Sequence, residues 1–124
     1  MWHAGPSQAS KTLAEIHACT EDLEHLFEVV KSEHELLVKY EDRLLSLHSS
    51  HYLNEYRAKA ERLIAQRGRE NYLQAVEYLK KVRSIYSDMQ KRPEEWDRYI
   101  RGIRENNKAL RALYEELRKA RLIA

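Results

Sequence analysis

A chain of 124 residues with 43% hydrophobic and 34% charged residues is long enough to bury a core and too apolar to be disordered. No apolar run approaches the roughly 18 residues of a membrane span, and a single cysteine, Cys19, excludes an internal disulfide. With only three glycines, two prolines and no signal-peptide pattern at the N-terminus, we expect a cytoplasmic all-α protein without membrane association.

The first predicted element is a long helix that follows a linker or disordered stretch over residues 1–10. Ser7 and a capping-box pattern from Thr12 to Glu15 offer two starting points for this helix. Beyond them, apolar residues recur in alternating steps of three and four, a repeat typical of a long helix in a coiled-coil-like seam. The repeat comprises Ile16, Cys19, Leu23, Leu26, Val30, Leu37, Tyr40, Leu44 and Leu47.

Two outcomes are open for this apolar stripe. Ser32 to Glu35 is a second capping-box pattern, and a break there gives two antiparallel helices. Without a break the helix is about 60 Å long at ~1.5 Å per residue, and the unbroken phase of the stripe favours this outcome. Because an isolated domain would expose part of so long a stripe, continuity predicts a homodimer. The predicted dimer seam comprises Leu23, Leu26, Val30, Leu37, Tyr40 and Leu44.

Three further helices are predicted after this segment. Ser49 or Ser50 caps the first of them, and Gly68 ends it. The next helix runs from about Glu70 to Gln90, and Pro93 opens a last helix that continues to about Arg121. Together these elements predict antiparallel helical hairpins with a long N-terminal helix, in one all-helical domain over residues 11–122.

The region from Gly68 onwards carries two resemblances to known families. The residues Gly68, Tyr72, Ala75, Tyr78-Leu79 and Ile85-Tyr86 resemble the second half of a tetratricopeptide-type helix pair. This resemblance implies a short tetratricopeptide-like helical bundle. A closer likeness is carried by Tyr72-Leu-Gln-Ala75-Val-Glu-Tyr78-Leu79, Ile85-Tyr86, Trp96-Asp-Arg-Tyr99-Ile100-Arg-Gly-Ile103-Arg104 and Ala112-Leu-Tyr-Glu-Glu-Leu117. This pattern resembles the helical C-terminal region that follows the zinc finger in bacterial SWIM-type zinc-finger proteins.

The resemblance to SWIM-type proteins implies a helical scaffold without the zinc module. The metal motif of that family, Cys-x-Cys followed by Cys-x-His, is absent, because this chain has Cys19 alone. Nothing about metal or nucleic acid therefore carries over from the family to this chain.

No pattern of catalytic, cofactor-binding or metal-ligating residues stands out. Asp22 with His25, and His48 with His51, are each three residues apart and would share a helix face, but no second carboxylate–histidine pair completes a two-metal site. Acidic neighbours disfavour the thiolate of Cys19, which we interpret as a small core residue. We therefore expect no enzyme activity, no cofactor and no metal.

The basic residues of the last predicted helix are the strongest functional signal. They recur in steps of three, four, three and seven beside the apolar stripe, a flank suited to phosphates. Residues 1–50 carry 4 Lys/Arg and 9 Asp/Glu, whereas residues 51–124 carry 18 Lys/Arg and 11 Asp/Glu. The alternative interpretation is that the acidic half of the chain neutralises this flank. The candidate anionic-partner face comprises Arg101, Arg104, Lys108, Arg111 and Arg118.

The function we expect is a non-enzymatic helical scaffold that mediates protein–protein interaction or self-assembly. The alternative is an accessory nucleic-acid-binding domain that uses the basic flank. The folded position of the charges separates the two hypotheses. A continuous positive face free of acidic neighbours favours nucleic acid, and neutralisation by residues 15–42 favours the scaffold.

Overall fold

The computed structural model describes residues 7–123, and all of its regular elements in that range are helices, which confirms the all-α fold class. A π-helical turn, Ile85–Met89, directly continues the sixth helix. The tetratricopeptide-like arrangement stays a prediction. The helices are α1 Gln8–Cys19, α2 Leu23–Val30, α3 His34–Lys39, α4 Glu41–Leu44, α5 Ser49–Gln66, α6 Arg69–Ser84, α7 Pro93–Asn106 and α8 Arg111–Lys119.

The chain divides into two compact units, Met1–His51 and Tyr52–Ala124. The prediction of a single all-helical domain over residues 11–122 stays a prediction. Of the two starting points for the first helix, Ser7 is the one used: its side chain accepts a hydrogen bond from the Ser10 backbone N–H at 3.0 Å. The predicted linker over residues 1–10 thus overlaps the start of α1, and residues 1–6 lie outside the described part of the chain.

The expectation of one long N-terminal helix is wrong, because four short helices occupy that segment. α1 ends at Cys19, where the Thr20 hydroxyl donates to the Ile16 carbonyl at 3.0 Å. Glu21 then adopts a left-handed φ of 55°, which no α-helix can contain. A new helix, α2, then begins with Asp22 as its N-cap, and the Asp22 carboxylate accepts a hydrogen bond from the His25 backbone N–H at 3.3 Å.

Two more breaks separate α2, α3 and α4. The chain leaves the helix after Val30, close to the alternative break near Ser32, but Glu33 rather than Ser32 is the N-cap residue of α3. A further turn at Tyr40 divides α3 from α4. The apolar repeat is therefore divided among short helices, and its ends at Ile16, Cys19 and Leu47 are exposed. Cys19 is accordingly not the core residue that we expected.

The predicted dimer seam lies largely inside the chain. Leu26, Val30, Leu37 and Leu44 are 0% exposed in a single copy, so these four side chains have no surface to offer a second copy. Leu23 and Tyr40 are half-buried. The seam through these residues is therefore corrected: burial that we assigned to a partner helix is supplied by the chain itself.

The first helix turns a different face inward from the one that the stripe predicts. Its buried residues are Ala14 and Ala18, one turn apart, whereas Leu13 and Ile16 are 47% and 52% exposed. Small side chains allow close approach of a neighbouring helix, and α1 packs chiefly on α2 within this unit. The Arg43 guanidinium also donates to the Ala18 carbonyl, which holds the end of α1 in place.

The second unit is built around tyrosines and branched residues of α5 and α6. Gly68 separates these helices as predicted, with a φ of 100° that side chains other than glycine rarely adopt. The Tyr56 ring lies 5.8 Å from that of Tyr52 and 5.7 Å from that of Tyr78. The buried residues here are Tyr52, Leu53, Tyr56, Ala60, Leu63, Ile64, Tyr72, Ala75, Val76, Leu79, Val82, Ile85 and Tyr86.

A polar cluster links α5 to α7 within this unit. The Arg57 guanidinium stacks on Tyr99, 4.7 Å from the ring centroid, and donates to the Tyr86 hydroxyl at 3.1 Å. The Tyr99 hydroxyl donates to Glu61 at 2.9 Å. Burial, together with the Glu61 carboxylate, raises the pKa of the Tyr99 hydroxyl well above its ordinary value, so the proton of this hydrogen bond is retained into alkaline solution.

The predicted last helix is two helices, α7 and α8. The Asn107 side chain donates to the Ile103 carbonyl at 2.8 Å, and its backbone N–H donates to the Arg104 carbonyl at 3.2 Å. With a φ of −132°, Asn107 leaves the helical region and caps α7. An asparagine that bonds the preceding turn in this way competes with helix continuation, which explains the break.

Candidate functional site

The end of α7 and the start of α8 form a concavity of about 320 Å³. Three of the five residues of the candidate anionic-partner face line it: Arg101, Arg104 and Lys108. Glu105 and Tyr114 complete the lining. We call this set of five residues the basic concavity. Arg111 and Arg118 lie outside it on α8, both exposed.

Helix geometry and the break at Asn107 together assemble the basic concavity. Arg101 and Arg104 are three residues apart on α7 and therefore share a face. Lys108 follows in the turn, and the reversal of the chain brings Tyr114 of α8 back to this end of α7. Its hydroxyl donates to the Arg104 carbonyl at 2.6 Å, which fixes the two helices against each other.

The cations of the basic concavity are largely free of acidic partners. Among the described residues of the second unit, no carboxylate oxygen lies within 4.0 Å of a guanidinium nitrogen of Arg101 or Arg104. Lys108 lies 3.6 Å from Glu105, and both side chains are mostly exposed to solvent. An exposed pair of this kind contributes only about 0–1 kcal/mol, so it is readily exchanged for another anion.

The acidic residues of α8 are engaged elsewhere. Arg69, at the start of α6, donates to Glu115 at 2.9 Å and to Glu116 at 3.4 Å. Glu116 is 5% exposed and also lies 3.1 Å from the Lys119 ammonium. The Arg69 hydrogen bond holds the pKa of the Glu115 carboxyl below its ordinary value, so this acid stays charged and paired with α6 at neutral pH.

Two of the backbone acceptors near the end of α7 are also occupied. Unpaired carbonyls at a helix C-terminus carry partial negative charge and disfavour an approaching anion. Here the Ile103 carbonyl accepts from the Asn107 side chain, and the Arg104 carbonyl accepts from both Asn107 and Tyr114. The positive side chains of the basic concavity are therefore opposed mainly by one acid, Glu105.

The sequence pattern located the cations but did not assign Tyr114 or Glu105 to the same face. Tyr114 falls on the apolar stripe, where an aromatic residue is ordinarily core, and it is half-buried. Only the break at Asn107 brings its hydroxyl to Arg104. Asn107 on an otherwise apolar stripe was the available signal, because a polar residue there marks either a buried hydrogen bond or a helix end.

Histidines of the first unit contact neighbouring acidic and aromatic side chains. His25 Nδ1 lies 2.6 Å from the Asp22 carboxylate, and His17 Nδ1 lies 4.0 Å from it. His48 stacks on Phe27 instead of facing a carboxylate, with 3.6 Å between ring centroids. Within residues 7–123, no group of three or more histidine, cysteine or acidic side chains is placed to hold a metal ion. In the same range, no helix combines the length and apolar character needed to cross a membrane.

Comparison with known proteins yields one informative similarity. The chain is 45% identical over 60 residues to an uncharacterized protein, YwqB, of Bacillus subtilis (strain 168). The aligned segment covers 48% of this chain and 11% of YwqB, so the chain matches about a tenth of that relative's length. No family model matches the chain, and no solved structure matches it.

Proposed function

We propose that this chain is a non-enzymatic helical module that binds nucleic acid through the basic concavity. The observation that carries the proposal is the convergence of Arg101, Arg104 and Lys108 on one concavity. The two arginines have no carboxylate partner among the described residues of the second unit. Phosphate contacts by such side chains supply most non-specific nucleic-acid affinity. The neighbouring acids Glu115 and Glu116 do not oppose a phosphate here, because Arg69 already engages them.

The test is a binding titration at two salt concentrations with a labelled oligonucleotide. We expect affinity at low ionic strength that falls steeply with salt, because each neutralised phosphate releases a counterion. Arg101→Gln/Arg104→Gln should weaken binding by about tenfold or more and reduce the slope of log K against log salt. No binding at low salt would contradict the proposal.

A matched variant separates local contacts from overall charge. Arg62→Gln/Lys80→Gln removes the same two charges from exposed positions on α5 and α6, outside the basic concavity. Lys80 is paired with Glu77 at 3.0 Å and is not part of the lining. This control should change affinity by less than about threefold, since neither side chain lines the basic concavity and exposed charges away from it are screened by salt. Equal losses in both variants would show attraction by net charge alone.

The second candidate function is the scaffold role, with self-assembly through the outer face of α1. Its support is the exposure of Leu13 and Ile16, which the fold leaves outside the core although both are large and apolar. This surface replaces the corrected seam as the route to a homodimer. Light scattering over a range of concentrations tests it: the mass should rise toward twice the monomer value, and Leu13→Ser/Ile16→Ser should keep the chain monomeric.

A constant monomer mass at high concentration would remove self-assembly from consideration and leave protein partners to be sought by other means. We further propose that the chain belongs to the helical region of SWIM-type zinc-finger proteins and that it is located in the cytoplasm. The short match to YwqB supports the view that the module works within a longer protein.

A further inference from the structure

We propose that the basic concavity accepts single-stranded nucleic acid, with one unpaired base stacked on the ring of Tyr114. The inference rests on the proposed nucleic-acid function and narrows it to one class of nucleic acid. It combines two kinds of side chain in one place: an aromatic ring, and the cations Arg101, Arg104 and Lys108 that line the same concavity.

Tyr114 is suited to stacking because its polar tip is already used. The hydroxyl donates to the Arg104 carbonyl at 2.6 Å, which fixes the orientation of the side chain before any ligand arrives. Because the hydroxyl is already bonded, the ring is the part of this half-buried side chain that we infer contacts a ligand. A fixed aromatic ring beside cationic side chains is the arrangement with which sequence-tolerant proteins hold single strands, since every base has a stacking face.

The size and form of the basic concavity favour a single strand over a duplex. Its volume of about 320 Å³ lies at the small end of the range for ligand sites, which suits one base with its sugar. Proteins that read duplex DNA insert a helix or a β-ribbon into a major groove about 12 Å wide. Here the cations surround a recess, and a base enters a recess only when it is unpaired.

Glu105 allows a test of whether the cations of the basic concavity contact phosphate. It is the one acid in the lining, and its carboxylate lies 3.6 Å from the Lys108 ammonium. A bound phosphate must compete with this carboxylate for Lys108. Glu105→Gln should therefore tighten binding to a single strand by about two- to tenfold, whereas a variant that merely damages the fold cannot gain affinity.

The closing experiment measures fluorescence anisotropy with the full chain and three labelled probes of equal length. The probes are oligothymidylate, its duplex with oligoadenylate, and an abasic strand that keeps the phosphates without the bases. We expect oligothymidylate to bind at least about tenfold tighter than the other two. Tyr114→Leu should weaken oligothymidylate binding by about 5- to 100-fold and leave abasic-strand binding nearly unchanged.

Tyr114→Phe is the control that separates stacking from positioning. It removes the hydrogen bond to the Arg104 carbonyl but keeps the ring, so it should retain oligothymidylate binding within about threefold. Equal losses in Tyr114→Phe and Tyr114→Leu would assign Tyr114 a positioning role and overturn the stacking inference. Circular dichroism of each variant shows whether the helices are intact.

The outcomes distinguish this inference from the proposed function. If the duplex or the abasic strand binds as tightly as oligothymidylate, the single-strand inference is wrong and nucleic-acid binding stands. If none of the three probes binds at low salt but polyglutamate does, both are wrong and the basic concavity serves an acidic protein segment. If Glu105→Gln weakens binding, the cations are not the groups that contact phosphate.

Discussion

Leu79→Ala is expected to lower the free energy of unfolding by about 2–5 kcal/mol, as for other buried leucines. Leu79 lies on α6 and is 0% exposed, among the tyrosines and branched residues of the second unit. Truncation to alanine removes buried methyl groups and leaves a cavity that close-packed neighbours fill only in part. Since small domains have total stabilities of roughly 5–15 kcal/mol, urea denaturation followed by circular dichroism should resolve the loss easily.

The matched control is Leu73→Ala on the same helix. Leu73 is 49% exposed, so the same substitution removes little buried surface and introduces the residue with the best helix propensity. We expect a change within about 0.5 kcal/mol. A comparable loss in both variants would mean that the packing described for α6 is wrong, because two leucines six residues apart would then be equally buried.

Leu37→Ala is expected to have a similarly large effect in the first unit, and this prediction tests the corrected dimer seam. Leu37 on α3 is 0% exposed in a single copy. Its truncation should cost about 2–5 kcal/mol of unfolding free energy through lost packing within the chain. The molar mass measured by light scattering should not change, since the side chain does not reach the surface.

Leu13→Ala on α1 is the companion measurement. Leu13 is 47% exposed, so this variant should lose little stability in a dilute sample. If Leu37→Ala instead shifted a dimer to a monomer, or if its effect on stability depended on protein concentration, the residue would lie at an interface between copies. The dimer seam predicted from the sequence would then be correct.

The contrast between the two halves of the chain shows which features local chemistry encodes. Gly68 and Pro93 mark real boundaries, because a left-handed φ and a missing backbone N–H constrain the chain whatever surrounds them. The apolar residues of α5 and α6 recur at helical spacing, and the buried residues of both helices follow that spacing. Spacing was sufficient there because each helix is long enough for its buried face to persist over several turns.

The N-terminal segment shows where spacing misleads. A stripe whose spacing continues through four short helices looks like one long helix, since its central residues Leu26, Val30, Leu37 and Leu44 are buried in either arrangement. The turns at Glu21 and Tyr40 contain no glycine or proline to announce them. They form because packing the short helices together buries more apolar surface than one exposed helix does, and that gain depends on residues far apart in the chain.

Composition and periodicity were enough to predict an all-helical chain, its glycine and proline boundaries and the cations Arg101, Arg104 and Lys108. They did not predict the hydrogen bond from Tyr114 to the Arg104 carbonyl or the ion pair between Arg69 and Glu115. They also did not predict that α1 buries Ala14 and Ala18 and leaves Ile16 exposed. Helix propensity and turn chemistry act between neighbours within a few residues. Which faces meet depends on contacts between distant segments, and those contacts exist only once the helices have packed.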